Sequence, residues 1–183
     1  MAAKKERELL KEHLYWAYAN LAMAHSAVDK GQEDYGMFNF MIRAKLYKGL
    51  LSGTMNIRTL FDDEKIKLAN GLKCSYCEAT EKLALDHILP KIIGGRDEGD
   101  NLIFACKSCN SSKGKKDLME WMQFRGDFLP LFIIRRYLKL AISHCIENEL
   151  TEKKLNELDY STIPYKIKLI PINYPKPSQL KLI

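Results

Sequence analysis

Residues 74–114 read CSYCEATEKLALDHILPKIIGGRDEGDNLIFACKSCNSSKG, and this stretch holds two C-x-x-C pairs separated by twenty-eight residues. Each pair can place two thiolates on one ion through a tight turn, and four sulfur ligands suit a tetrahedral, structural Zn2+. A redox-active dithiol and a pair of disulfides are the alternatives. The sequence therefore predicts a zinc site whose ligands are Cys74, Cys77, Cys106 and Cys109.

Polar residues lie between and just after the cysteine pairs. Asp86 and His87 interrupt an apolar run over 83–89, where an unpaired ionisable group would cost several kcal/mol. Asn101 opens a second apolar run, and Asn110 directly follows the last cysteine. Because each polar group needs a partner or a water-filled site, we expect them to converge at the ends of two strands.

The order C-x2-C, D-H-I-x-P, G-G, D-N-L and C-x2-C-N, followed by K-G, resembles the HNH endonuclease family, the zinc-stapled branch of the ββα-metal nucleases. The His, Asn and His positions for which the family is named correspond to His87, Asn101 and Asn110. Thirteen residues separate the first two, and eight separate the last two. Asn at the third position, in place of His, is a variant that the family tolerates. The resemblance covers residues 72–118, roughly a quarter of the chain.

The resemblance and the chemistry of phosphodiester hydrolysis suggest a task for each residue. His87 is expected to act as general base on the attacking water, because imidazole exchanges protons near neutral pH. Asp86 and Asn110 offer the hard oxygen ligands that Mg2+ or Mn2+ prefers, and the resemblance implies that Asn101 fixes the loop and orients the histidine. Nearby lysines are expected either to meet substrate phosphates or to lie in a solvated turn; they are Lys113, Lys115 and Lys116.

The whole chain has the composition of a globular protein. Its 183 residues are 46% hydrophobic and carry 29 Lys and Arg against 23 Asp and Glu, a formal net charge of +6. This moderate charge permits a polyanionic partner without demanding one. No apolar stretch is long enough to span a membrane, and the N-terminus reads as a charged helix instead of a secretion signal. We therefore expect a cytoplasmic protein with no membrane partner and, from the resemblance, a bacterial or phage-encoded one.

Three regions follow from these patterns. Residues 1–70 form a helical N-terminal region, residues 71–125 the HNH nuclease core, and residues 126–183 a C-terminal helix with an extended tail. The predicted fold class is α+β, in which a ββα-metal core with a four-cysteine zinc site is flanked by N-terminal helices and by the C-terminal helix and arm.

Apolar periodicity and helix breakers place five helices and two strands in these regions. The helices are predicted over 4–30, 37–51, 62–70, 117–124 and 130–149, and the strands over 83–89 and 101–105. A continuous apolar seam on the first helix predicts packing against the protein's own helices, with a dimerising coiled coil as the alternative. Cys145, the fifth cysteine, is expected to be a small buried hydrophobe.

Two basic segments near the C-terminus are candidates for contact with a nucleic-acid backbone. Arg135, Arg136 and Lys139 lie on the polar side of the last helix, where a solvated surface explains them equally well. The arm interleaves aromatic and basic residues, namely Tyr165, Lys166, Lys168, Tyr174 and Lys176.

The sequence as a whole predicts a metal-dependent endonuclease that hydrolyses DNA in preference to RNA, with structural Zn2+ and catalytic Mg2+ or Mn2+. The resemblance suggests a restriction, mobile-element or antiviral-defence setting, with a homodimer or a protein partner such as a defence-system ATPase. The alternative is a non-catalytic, zinc-dependent module that binds nucleic acid or serves as a scaffold.

Overall fold

The computed structural model of the chain describes residues 7–69 and 71–183. Within these residues it contains six α-helices and one two-stranded sheet. In chain order the elements are α1 (Leu10–Asp29), α2 (Met37–Leu51), α3 (Leu60–Ala69), β1 (Leu83–His87), β2 (Leu102–Cys106), α4 (Lys107–Lys113), α5 (Leu118–Arg125) and α6 (Leu131–Glu147). This mixture of helices with one small sheet confirms the predicted α+β class. Across the same residues, no helix is both long and apolar enough to cross a lipid bilayer.

The observed helix ends differ from the predicted ones mainly at α1. Residues 4–6 of its predicted span, and Asn70 of the third predicted helix, lie outside the described residues. α1 begins only at Leu10, because the Glu12 carboxylate accepts hydrogen bonds from Glu8 N at 2.8 Å and Leu9 N at 3.1 Å. These bonds hold the preceding chain in an extended conformation and satisfy amides that a helix start leaves without partners.

The sheet and the helix that follows it form one ββα unit. β1 and β2 run antiparallel, with His87 opposite Leu102. α4 begins directly after β2, where Cys106 Sγ accepts a hydrogen bond from Cys109 N at 3.5 Å. It ends at Lys113, and Gly114 follows with a φ of +53°. Helical periodicity did not indicate α4, because Cys, Ser and Asn have low helix propensity and the cap geometry, not an apolar stripe, starts this helix.

The apolar seam of α1 is buried inside the chain. α1 packs against α2 and against α6, which confirms the predicted packing against the protein's own helices. Cys145 on α6 is also fully buried, as predicted. The seam is therefore not available to a coiled-coil partner; its buried members are Leu10, Leu14, Ala17, Leu21 and Ala24.

The polar side of α6 is largely buried as well, so it is neither the DNA contact nor the solvated surface that the sequence left open. Arg136 is 0% exposed and Lys139 is 3% exposed. α3 covers this side with carboxylates: Asp63 lies 2.7 Å from Arg135 Nε and 2.7 Å from Lys139 Nζ. Glu64 lies 2.6 Å from Arg136 Nη2. Cations buried in this way need partners because desolvation of an isolated charge is costly, so these side chains serve the packing of α3 on α6.

The arm that follows α6 packs into the fold and does not offer the predicted aromatic and basic surface. Tyr165 is buried, and its ring contacts the core. Lys166 pairs with Glu120 at 3.2 Å, and Lys176 pairs with Asp34 at 2.8 Å. The alternation of aromatic and basic residues thus reflects a segment with one face on the core and one face in water.

Candidate functional site

The four predicted zinc ligands converge on one point. Their Sγ atoms all lie within 4.8 Å of one another, and Cys77 Sγ lies 3.7 Å from Cys106 Sγ. Sulfur ligands about 2.3 Å from a tetrahedral ion are about 3.8 Å apart, so this spacing fits zinc. All five cysteines of the chain are free thiols in the structure, and no disulfide links these pairs. The four clustered cysteines can hold a zinc ion.

Local contacts shift the pKa values of these thiols in opposite directions. The backbone N–H of Cys109 lowers the pKa of the Cys106 thiol to about 7. Burial raises the pKa of the Cys109 thiol. Arg125 Nη1 lies 3.8 Å from Cys109 Sγ, where the positive charge of the guanidinium offsets the negative charge of metal-binding thiolates. Sequence reasoning missed Arg125, because no spacing rule connects α5 with the cysteine pairs.

Three of the four residues predicted for the catalytic site meet in a single cleft of about 320 Å3, whereas Asn101 does not line it. Asp86 and His87 lie at the end of β1, and Asn110 lies on α4, half-buried. All three line the cleft, which is open to solvent. The ββα unit therefore brings together side chains that are more than twenty residues apart in the sequence.

The Asp86 carboxylate is 6% exposed and hydrogen-bonded at both oxygens. Oδ2 accepts a hydrogen bond from the Tyr76 hydroxyl at 2.8 Å, and Oδ1 accepts one from Lys113 Nζ at 3.2 Å. Burial, and then the nearby Asp86, raises the pKa of Tyr76 well above its ordinary value, so this hydroxyl keeps its proton and donates. A carboxylate offers about four acceptor positions, so Asp86 retains capacity for a further ligand.

The three lysines after the cysteines lie in different environments. Lys115 is exposed and lines the cleft, whereas Lys116 is exposed and does not line it. Lys113 is 0% exposed, and its Nζ also donates to His87 O at 2.6 Å. Burial lowers the pKa of Lys113, and Asp86 opposes this shift. The structure thus corrects both expectations for Lys113, a phosphate contact and a solvated turn, because its buried ammonium group bonds to Asp86 and to His87 O.

His87 is held by an acidic residue that sequence reasoning missed. Asp97 Oδ1 lies 2.8 Å from His87 Nε2, and Lys91 Nζ donates to Asp97 Oδ2 at 2.5 Å. Because a carboxylate only accepts, the neutral His87 imidazole carries its proton on Nε2 and leaves Nδ1 as an acceptor. Hydrogen bonds from Lys91 and then His87 hold the pKa of Asp97 below its usual range. The only signal in the sequence was an acidic residue in the loop between the motif's His and its first Asn.

Asn101 fixes the loop that follows His87. It is 4% exposed, its Oδ1 accepts from Leu89 N at 2.8 Å, and its Nδ2 donates to Leu89 O and to Arg96 O at 2.9 Å each. These bonds end β1 at His87, two residues before the predicted end of the strand. A Cβ at Gly95 would lie 1.8 Å from Leu89 O, so only glycine allows this close approach. The geometry supports the loop-fixing role that the resemblance implies for Asn101.

The family model of the HNH endonuclease matches residues 74–116. These residues form an HNH domain. The HNH domain contains the four cysteines of the predicted zinc site and every residue proposed for catalysis. A domain of this family is typically a nuclease. None of the curated proteins or solved structures compared with the chain matches it.

Helices outside the HNH domain hold one of its turns. Arg136 Nη2 donates to Gly99 O at 2.8 Å and to Asp100 O at 2.6 Å. Lys67 Nζ donates to Gly99 O and to Leu102 O at 3.2 Å each. α3 and α6 thereby fix the turn that leads into β2, because carbonyl groups at a turn lack ladder partners and accept charged donors well.

Proposed function

We propose that the chain is a metal-dependent endonuclease that hydrolyses DNA phosphodiester bonds in the cleft of its HNH domain. The observation that carries this proposal is the meeting of a histidine, with one ring nitrogen free to accept a proton, and two hard oxygen donors in one cleft. These residues are His87, Asp86 and Asn110. The match to the HNH endonuclease family supports the same reaction class.

Asp86 and Asn110 would hold a Mg2+ or Mn2+ ion. Carboxylate and amide oxygens suit these cations, which keep several waters and need only one or two protein ligands. Two acceptor positions of Asp86 remain beyond its bonds to Tyr76 and Lys113. When bound, the ion supplies positive charge that stabilises the phosphoryl oxygens and the leaving oxygen. The four cysteines leave no open position, so the zinc ion that they would hold has a structural role.

His87 accepts a proton from the attacking water at Nδ1. Asp97 keeps the Nε2 proton in place through the 2.8 Å hydrogen bond and stabilises the imidazolium that forms. Lys91 holds the opposite oxygen of Asp97 and so fixes the carboxylate plane. In this way the chain presents one tautomer of the histidine to the water and offsets the charge that the proton transfer creates.

DNA would enter over the exposed side of the cleft, where Lys115 is available for a phosphate contact, and the exposed Lys116 follows it in the chain. By the resemblance, cleavage leaves 5′-phosphate and 3′-hydroxyl ends. One cleft cuts one strand, so a single encounter produces a nick. A restriction, mobile-element or antiviral-defence setting, with a second copy or an ATPase as partner, is a hypothesis that rests on the resemblance alone.

One observation favours a second candidate function, a zinc-dependent nucleic-acid-binding module without turnover. Lys113 already neutralises Asp86 at 3.2 Å, and a buried cation at this position repels a second cation. If this repulsion prevented a metal from binding, the same fold would bind nucleic acid without hydrolysing it.

The two functions are distinguished by incubating the purified, zinc-loaded chain with supercoiled plasmid, single-stranded DNA and RNA. Each substrate is tested with Mg2+, with Mn2+ and with no added divalent ion, because a chelator would also remove the structural zinc. We expect nicked plasmid with either ion and none without an added ion. Binding of DNA without any cleaved product under all three conditions would support the non-catalytic module instead.

A further inference from the structure

A second cavity lies among the helices outside the HNH domain. It has a volume of about 490 Å3 and is lined by residues of α1, α2, α3, α6 and the segment between α2 and α3. None of its lining residues lines the cleft at His87. Protein sites for small organic ligands span roughly 300–1,000 Å3, so this cavity has the size of a ligand site.

One part of the cavity is apolar. Side chains from α1, α2 and α3 and from the α2–α3 segment form this apolar wall. A flat apolar group of a ligand that packs against the wall would be removed from contact with water, which favours binding. The side chains are Leu21, Ala22, Ile42, Leu46, Met55 and Ile66.

The charged groups of the cavity are mostly cationic. Lys45 and Arg58 are exposed at its rim, and no described residue forms a salt bridge with either of them. Arg135 and Lys139 line it more deeply and share one carboxylate, Asp63. Lys45 and Arg58 therefore bring positive charge to the rim that no salt bridge with a described residue offsets, and this charge favours an anionic ligand.

Neutral polar groups complete the lining. The Tyr18 hydroxyl accepts from Arg58 N at 3.4 Å, and Asn56 adds an amide. Burial, and then the charge of Arg135, lowers the pKa of His25, so its ring is neutral at pH 7 and can both donate and accept. A hydroxyl, an amide and an imidazole next to an apolar wall suit the polar edge of a heterocycle.

We propose that this cavity binds a nucleoside phosphate, with the phosphate at Lys45 and Arg58 and the nucleoside against the apolar wall. An apolar ligand without an anion would leave the cationic rim without a partner. An inorganic anion alone would leave the apolar wall in water. Only a ligand with both halves satisfies both parts of the lining.

The test is calorimetric titration of the full-length, zinc-loaded chain with AMP, with adenosine and inorganic phosphate as the two half-ligands. We expect AMP to bind more tightly than either half. Arg58→Ala should weaken AMP binding roughly tenfold, because it removes one charge-assisted bond to phosphate. Lys48→Ala is the matched control, since Lys48 is exposed on α2 but does not line the cavity, and it should leave the affinity unchanged.

His87→Ala should also bind AMP as the wild type does, because the catalytic cleft is a separate site. Absence of AMP binding at millimolar concentration, equal effects of Arg58→Ala and Lys48→Ala, or phosphate binding as tight as that of AMP would each overturn the proposal. Loss of AMP binding in His87→Ala would do so too, by assigning the nucleotide to the cleft. No arm of this test measures cleavage, so it is independent of the proposed nuclease activity.

Discussion

The zinc site and the catalytic cleft belong to the same HNH domain, but they are built in different ways. The zinc site repeats one ligand type at one short spacing, so two tight turns supply all four ligands. The cleft collects single residues from β1, from the loop after it and from α4, and each depends on a different neighbour: His87 on Asp97, and Asp86 on Lys113. The comparison teaches that loss of any one cysteine should abolish zinc binding by the whole set. In the cleft, by contrast, loss of each supporting residue should reduce either the cleavage rate or the stability by its own amount.

The two sites are connected by one side chain. Tyr76 lies between the two cysteines of the first pair, and its hydroxyl donates a hydrogen bond to Asp86 in the cleft. Its ring packs edge-on against Trp121 of α5, with 4.7 Å between ring centroids. The zinc site thus positions Tyr76, the residue that holds the Asp86 carboxylate of the cleft in place.

The largest effect is expected from Cys74→Ser. Structural zinc contributes about 10–16 kcal/mol in small zinc domains, so loss of one thiolate should release the ion and unfold the HNH domain. Part of the helix content from α1, α2 and α6 should survive, because α1 packs directly against both α2 and α6. Zinc content and far-ultraviolet circular dichroism check both expectations.

Cys145→Ser is the matched control for this change, since Cys145 is buried away from the site and should leave one zinc ion per chain. Stoichiometric zinc in Cys74→Ser would mean that the four cysteines do not bind the ion as a unit.

The next effect concerns stability of the cleft. Lys113→Met leaves the buried Asp86 carboxylate without its cation, and we expect a loss of about 3 kcal/mol in the free energy of unfolding, measured by urea denaturation of the zinc-loaded chain without added Mg2+ or Mn2+. Added Mg2+ should restore part of this loss, because the ion replaces the missing charge. Lys115→Met, at an exposed position, should change stability by less than about 0.5 kcal/mol. Equal losses in the two variants would refute the supporting role of Lys113.

A smaller effect is expected from Asp97→Asn, and it should fall on the rate alone. The amide no longer stabilises the imidazolium, so we expect cleavage to slow by roughly ten- to a hundredfold. Asp97 is exposed, so the urea midpoint should stay the same. Glu98→Gln changes the adjacent exposed carboxylate and should keep the wild-type rate. If both variants cleave at the same rate, Asp97 does not position His87.

The smallest effect tests the connection between the two sites. Tyr76→Phe keeps the ring on Trp121 but removes the hydrogen bond to Asp86, which should cost about 1 kcal/mol of stability and slow cleavage several-fold. Zinc content should not change. Tyr160→Phe removes a hydroxyl that donates to Leu155 O; neither residue lines the cleft, so the rate should stay the same. An unchanged rate in Tyr76→Phe would mean that the zinc site and the cleft are independent.

Much of the HNH domain could be predicted from the sequence because its signals are local. Cysteine spacing identified the four ligands, and their Sγ atoms do converge. The apolar runs indicated both strands, within two residues of their observed ends. α4 was not apparent, because its residues carry no apolar stripe.

The remaining features depend on contacts that no local pattern encodes. Arg136 and Lys139 looked solvated because their helix face is polar, yet α3 covers that face with Asp63 and Glu64. Lys113 looked like part of a solvated turn, yet the fold buries it beneath Asp86. In both cases a charged residue is buried together with a partner that is distant in the sequence.

The most direct measurement is the rate at which zinc-loaded His87→Ala nicks supercoiled plasmid in Mg2+ or Mn2+, beside wild type and His144→Ala, a histidine on α6 that does not line the cleft. We expect wild type and His144→Ala to nick at the same rate, and His87→Ala to be slower by about two orders of magnitude or more, with unchanged zinc content and circular dichroism. Nicking by His87→Ala at the wild-type rate, or no metal-dependent nicking by the wild type, would contradict the assignment of this cleft as a nuclease site.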